Sequence, residues 1–129
     1  MKRVFKTKTF DRWARKVLSD ELLCQAAREI EQGKYEADLG GGVCKKRVAV
    51  PGQGKSGSTR TLVAKKHNTA IFFLAGREKN SAGSDFSAKE VDAAKIIGHA
   101  LESASIKKIE DLVATEVLKE ICNDKQKSD

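Results

Sequence analysis

The chain has 129 residues, 33% of them charged and 40% hydrophobic, and a net charge of +7. That length suits one domain with one core, and that balance excludes a disordered chain. The longest unbroken apolar run, Ala70 to Ala75, is far too short to cross a bilayer, and the basic N-terminus MKRVFKTKTFDRW lacks the apolar stretch of a secretory signal.

In chain order, the alternating RVFKTK (Arg3 to Lys8) predicts a short strand. Phe10, Trp13, Ala14, Val17 and Leu18 fall at helical spacing and predict a helix over Thr9 to Leu18, with Trp13 on its core face. Ser19 or Asp20 can cap a second helix whose apolar face is Leu22, Leu23, Ala26, Ala27 and Ile30, ended by Gly33. Gly40-Gly41-Gly42 marks an irregular connection. Three strands then follow: Val43 to Val50, Thr59 to Lys66, and Thr69 to Ala75. Joined by local turns, they predict an antiparallel meander with the apolar third strand central and buried on both faces. Ser87-Ala-Lys-Glu90 is a capping-box signature for a helix facing inward through Val91, Ala94, Ile97 and Leu101, with Ala93, Ile96 and Ala100 alongside. A last helix carries Ile109, Leu112, Val113, Val117, Leu118 and Ile121. The order β-α-α-β-β-β-α-α predicts an α+β domain over residues 1–123, helices laid on a small antiparallel sheet, with a polar disordered tail at 124–129.

Charge is concentrated. From Leu39 to Arg77 there is no Asp or Glu, yet the window holds Lys45, Lys46, Arg47, Lys55, Arg60, Lys65, Lys66 and Arg77. Outside it 17 Lys and Arg face 18 Asp and Glu, so this block carries the whole excess. Such a footprint suits a polyanion, most often nucleic acid. Lys45, Lys46, Lys65 and Lys66 are expected to divide between the two sheet faces. The three cysteines, Cys24, Cys44 and Cys122, are widely spaced and read as free thiols of a cytoplasmic protein; with His67 and His99 they make no metal-ligand pattern.

The stretch AVPGQGKS (Ala49 to Ser56) fits a relaxed Walker A pattern. A phosphate-binding loop of that kind must lead into a helix N-terminus, but GSTRTLVAKK follows here and is strand chemistry. The apolar strand that should end in a Walker B carboxylate ends in Gly76-Arg77. A nucleotide cofactor is therefore not expected. The glycines of the loop still allow close approach of a phosphate beside Lys55.

The segment DLGGGVCKKRVAVPGQGKSGSTRTLVA (Asp38 to Ala64), followed by TAIFFLAGREKN (Thr69 to Asn80), resembles a branch of the RelE-type toxins of bacterial toxin–antitoxin systems, close to the HigB-like proteins. FKTKTFDRWARK (Phe5 to Lys16) and EVLKEI (Glu116 to Ile121) extend the likeness over nearly the whole chain. The resemblance implies a curved antiparallel sheet with helices packed on it. It implies a metal-independent endoribonuclease that cuts mRNA, on the ribosome or off it, and is held inactive by a helix-turn-helix antitoxin. By position it makes Arg60 a phosphate clamp and Lys55 and Lys79 charge stabilisers, with Lys45, Lys46, Arg47, Lys65 and Arg77 binding nucleic acid. Arg and Lys suit that work because attack by a 2′-OH gathers negative charge on the non-bridging phosphate oxygens. The chain departs from the branch at Thr59, where an aromatic residue is usual, at Arg77-Glu78-Lys79, and at SAGSD (Ser81 to Asp85). Two other functions suit the same fold: a binding module without catalysis, and a topoisomerase inhibitor like the ParE-type toxins.

Overall fold

The computed structural model describes residues 1–51, 58–78 and 85–123. Its elements are β1 (Arg3–Thr7), α1 (Lys8–Ala14), α2 (Asp20–Glu31), β2 (Ala37–Gly40), β3 (Val43–Ala49), β4 (Ser58–Ala64), β5 (Ala70–Glu78), α3 (Ala88–Glu102), α4 (Ile106–Ala114) and β6 (Leu118–Ile121). The strands form one sheet in the order β2-β3-β4-β5-β1-β6. The meander β3-β4-β5 is antiparallel, as its local turns require, and β5 lies central with Ile71, Phe72 and Phe73 almost fully buried. None of the described helices is long and apolar enough to cross a membrane.

Side chains alternate across the strands and give the sheet two apolar faces. On one, α1 and α2 cover Val4, Cys44, Val48, Val63, Ile71, Phe73 and Ile121. On the other, α3 and α4 cover Phe5, Val43, Leu62, Ala64, Phe72 and Leu118. Ser19 caps α2 by accepting from the Leu22 N–H, and the Ser87–Glu90 capping box opens α3 in both its hydrogen bonds. Trp13 packs against the core beneath Gly76, where a Cβ would run into its indole ring. The β4–β5 register breaks once: Leu62 faces Ala75 but Val63 faces Phe73, so β5 carries one extra residue, Leu74, as a bulge.

Five expectations change. On α3, Ile97 does not turn inward with Ala94 and Leu101 but is exposed, and Gly98 lies against the sheet instead. The sheet is mixed rather than wholly antiparallel, because β1 runs parallel to β5, with Phe5 opposite Phe72. The Gly40–Gly42 segment is the turn of a β2–β3 hairpin, its three glycines all at positive φ. The last helix stops at Ala114; the Val117 N–H turns back to the Leu112 carbonyl, and Glu116 takes a φ of 65°. Leu118 and Ile121 then lie on strand β6, paired to β1, and being three apart they enter opposite faces of the core. Finally, Cys24 and Cys122 are not free thiols but a disulfide that ties α2 to the end of β6, leaving Cys44 buried and free.

Candidate nucleic-acid interface

Register decides which cations of the acid-poor block meet. Arg47 on β3 stands directly opposite Arg60 on β4, and Arg60 directly opposite Arg77 on β5. Three arginines therefore form a row across three strands, on the sheet face that α3 covers further along. Lys45, two residues from Arg47 on the same strand, shares that face. Arg47 is exposed, and Lys45, Arg60 and Arg77 are half-buried. Like charges directly opposite one another on a sheet destabilise it, so such a row is costly to build without an anion to face.

Two carboxylates at the start of α3 answer part of that charge. Asp85 is 2.5 Å from the Lys45 ammonium and accepts the Phe86 N–H. The Lys45 contact, helped by Phe86 and the field of Arg60, holds its carboxyl below the usual carboxylate range. Glu90, which closes the capping box with Ser87, also lies 3.5 Å from an Arg77 guanidinium nitrogen. A third carboxylate, Glu36, accepts the Arg47 N–H, so four cations stand against three carboxylates.

The structure does not bring Lys46 and Lys65 to this row. Lys46 is buried on the α2 side, where its ammonium donates to the Lys34 carbonyl and pairs with Glu29 at 2.7 Å, fastening α2 to β3. Lys65 pairs with Asp38 at 3.3 Å and lies over the Tyr35 ring. Burial pulls the Lys65 ammonium down, but Asp38 raises it further. The expected split of the lysines between faces is thus seen in Lys45 against Lys46. Lys55 and Lys79 lie outside the described residues.

Thr59 bears on the missing aromatic. Its hydroxyl donates to the Val48 carbonyl at 2.9 Å, and its buried side chain points to the α1–α2 side. Thr61 does the same to Lys46, also at 2.9 Å. Position 59 therefore faces away from the arginine row, and the threonine there removes no stacking group from it. Trp13 also belongs to the opposite face, through Gly76.

The sequence reading missed a second charged cluster. Lys6 of β1, 2% exposed, pairs with Asp11 at 2.5 Å and Asp20 at 2.8 Å, joining β1, α1 and the first residue of α2. Burial pushes the Asp11 carboxyl up, yet Lys6, Lys119 and Arg15 together bring it below its ordinary value. The alternation of RVFKTK puts Lys6 on the same side of β1 as Val4, and only the return of α1 and α2 over that side shows what it does. Among the described residues no three His, Cys, Asp or Glu side chains are placed to hold a metal ion.

The profile of the family described as the RelE toxin of the RelE/RelB toxin–antitoxin system matches residues 2–121. The chain belongs to the RelE toxin family. It is thus the toxin of a toxin–antitoxin pair, and an antitoxin is its partner. Comparison with curated proteins gives no match.

Proposed function

We propose that this RelE toxin is a metal-independent endoribonuclease of the HigB-like branch, acting on mRNA in the cytoplasm and restrained by a helix-turn-helix antitoxin. The observation that carries the reading is the in-register row Arg47–Arg60–Arg77. Arg60, at its centre, is the phosphate clamp. In the reaction the 2′-oxygen of the RNA bonds to phosphorus while the bond to the 5′-oxygen breaks. Negative charge grows on the non-bridging oxygens, and a guanidinium fork donating to two of them stabilises that charge more than it does the ground state. Arg47, Arg77 and Lys45 hold the flanking phosphates. Lys55 and Lys79 are the remaining charge stabilisers on this reading. Lys46 and Lys65, already paired with Glu29 and Asp38, act by holding the scaffold.

The test is induced expression with mapping of transcript ends. Wild type should arrest growth and create new 5′ ends within coding sequences. Arg60→Ala should lose about 100-fold or more in cleavage, the usual scale for removing one transition-state donor, and Arg60→Lys should recover only part, since a lysine cannot form the bidentate fork. Arrest without new transcript ends, retained by Arg60→Ala, would remove the ribonuclease reading. If relaxation of supercoiled DNA were altered instead, the ParE-like function would replace it. RNA retained on the protein without cleavage, and released by salt, would leave a binding module.

A further inference from the structure

Helix α3 turns Ala94, Gly98 and Leu101 into the core. Gly98 lets it come close, since a Cβ there would sit 3.2 Å from the Val43 side chain. One exposed flank of the helix is apolar as well, while Asp92 and His99 are exposed on the other flank. Ala93, Ile96, Ile97 and Ala100 are all exposed, Ile96 at 73% and Ile97 at 45%. Their spacing of i, i+3, i+4 and i+7 makes one stripe, large residues in the middle and small ones at each end, the form a second helix packs against. The N-terminal end of the stripe is one turn from Glu90, which touches Arg77. The stripe and the arginine row are therefore neighbouring parts of one surface.

We propose that the stripe Ala93–Ile96–Ile97–Ala100 is the docking seam for an amphipathic helix of the antitoxin, and that an acidic segment continuing from that helix crosses the α3 N-terminus onto Arg77, Arg60 and Arg47. Two observations choose this occupant over a second copy of the chain. The first is area. The two isoleucines and their alanines offer on the order of 300 Å² of apolar surface, well short of the ~800 Å² per partner of a stable interface, so a partner that stopped at the stripe would hold weakly. The second is charge. The surface continuous with the stripe carries Lys45, Arg47, Arg60 and Arg77 against Asp85, Glu90 and Glu36, and complements an acidic chain, not another copy of a protein of net charge +7. Docking of this kind blocks the row without any change in the fold. The inference rests on the toxin reading for the existence of an antitoxin, and on the RNA reading only for what is blocked.

The test measures the affinity of the purified toxin for the antitoxin encoded beside it. Ile96→Glu and, independently, Ala100→Glu should weaken binding at least about thirtyfold, the loss that marks an interface hot spot. Ile106→Glu, exposed on α4 and off the stripe, should leave it unchanged. Both stripe positions face solvent, so thermal melting should match wild type and separate lost binding from lost folding. In cells the stripe variants should still arrest growth but escape rescue by the antitoxin. Unchanged affinity in both stripe variants would overturn the proposal. So would a concentration-dependent dimer of the toxin alone that Ile96→Glu dissolves, which gives the stripe to a second copy. Should Arg60→Ala leave toxicity intact while the stripe variants lose affinity, the ribonuclease reading fails and the docking seam stands.

Discussion

Opening the Cys24–Cys122 disulfide should cost the toxin a large part of its stability. The bond joins residues 98 apart in sequence, Cys24 within α2 and Cys122 one residue beyond β6. Closing a loop of that length restricts the unfolded chain by up to about 4.7 kcal/mol on the chain-entropy account, while removal of natural disulfides typically costs about 2–5 kcal/mol. The native side adds to this, because β6 has four residues and pairs with β1 alone, so the cross-link is what secures its far end. A loss of about 3 kcal/mol corresponds to a fall of about 10 °C in Tm for a domain of this size. The assay is thermal unfolding by circular dichroism with and without reductant, for wild type and for Cys24→Ser with Cys122→Ser. Reduced wild type and the double variant should melt together, below the oxidised protein. Thiol titration supplies the count: the unfolded, unreduced chain should show one reactive thiol and the reduced chain all three. In the folded oxidised protein even that one, Cys44, should resist alkylation, since burial pushes its thiol up to about 12. Three thiols in the unreduced chain, or a Tm indifferent to reductant, would refute the reasoning. The reduced value is also the one that matters where glutathione keeps thiols reduced.

The buried Lys6–Asp11–Asp20 cluster predicts both a mutational and a pH effect. Lys6→Met leaves the Asp11 carboxylate buried with only Arg15 and the field of Lys119 to answer it, and should cost about 3 kcal/mol by urea unfolding at neutral pH. Because Asp11 has a folded pKa below its unfolded one, its contribution is present above about pH 4 and lost as pH falls through the folded value. Acid titration of Lys6→Met should therefore lack this part of the wild-type loss, and equal acid slopes in the two proteins would contradict the pairing. At Gly76, substitution by Ala drives a methyl group into the Trp13 indole, with an expected cost of about 1–3 kcal/mol. Trp13→Leu should make the same change nearly neutral, and a cycle with no coupling between the two sites would show that they do not touch.

Local chemistry was legible. The Ser87–Glu90 capping box, the Ser19 cap and the central place of the apolar β5 all follow from residues within a few positions of one another. Non-local pairing was not. Leu118 and Ile121, three apart, satisfy a helical stripe as well as a strand buried on both faces, and only pairing with β1 decides between them. The same return of β6 beside β1 brings Cys122 to Cys24, which no spacing rule could foresee. On α3 the apolar residues cover an exposed flank as well as the core side, so periodicity could not tell that Gly98 faces the sheet and Ile96 and Ile97 face away. Of the candidate site, the acid-free window was plain, but which of its cations share a face was not.

That last point turns on a single residue. From Ala64 opposite Phe72 and Val63 opposite Phe73, an unbroken antiparallel ladder would run on to Leu62 opposite Leu74 and Arg60 opposite Gly76. Arg77 would then face the α1 side, among apolar neighbours, and the row would stop at Arg60. The extra residue Leu74 moves the register by one, so Leu62 meets Ala75 and Arg60 meets Arg77. One bulge thus does two things. It places Gly76, the residue with no side chain, under the Trp13 ring, and it turns the adjacent arginine out toward the other guanidinium groups. Bulges gather near functional sites because they re-aim a side chain without unpairing the strand. Here the bulge keeps β5 seated in the core through Leu74 while its last residues serve the charged end of the sheet. The stability of the scaffold and the assembly of the arginine row are separated by that one insertion, which is why the row can carry its repulsion without loosening the strand that bears it.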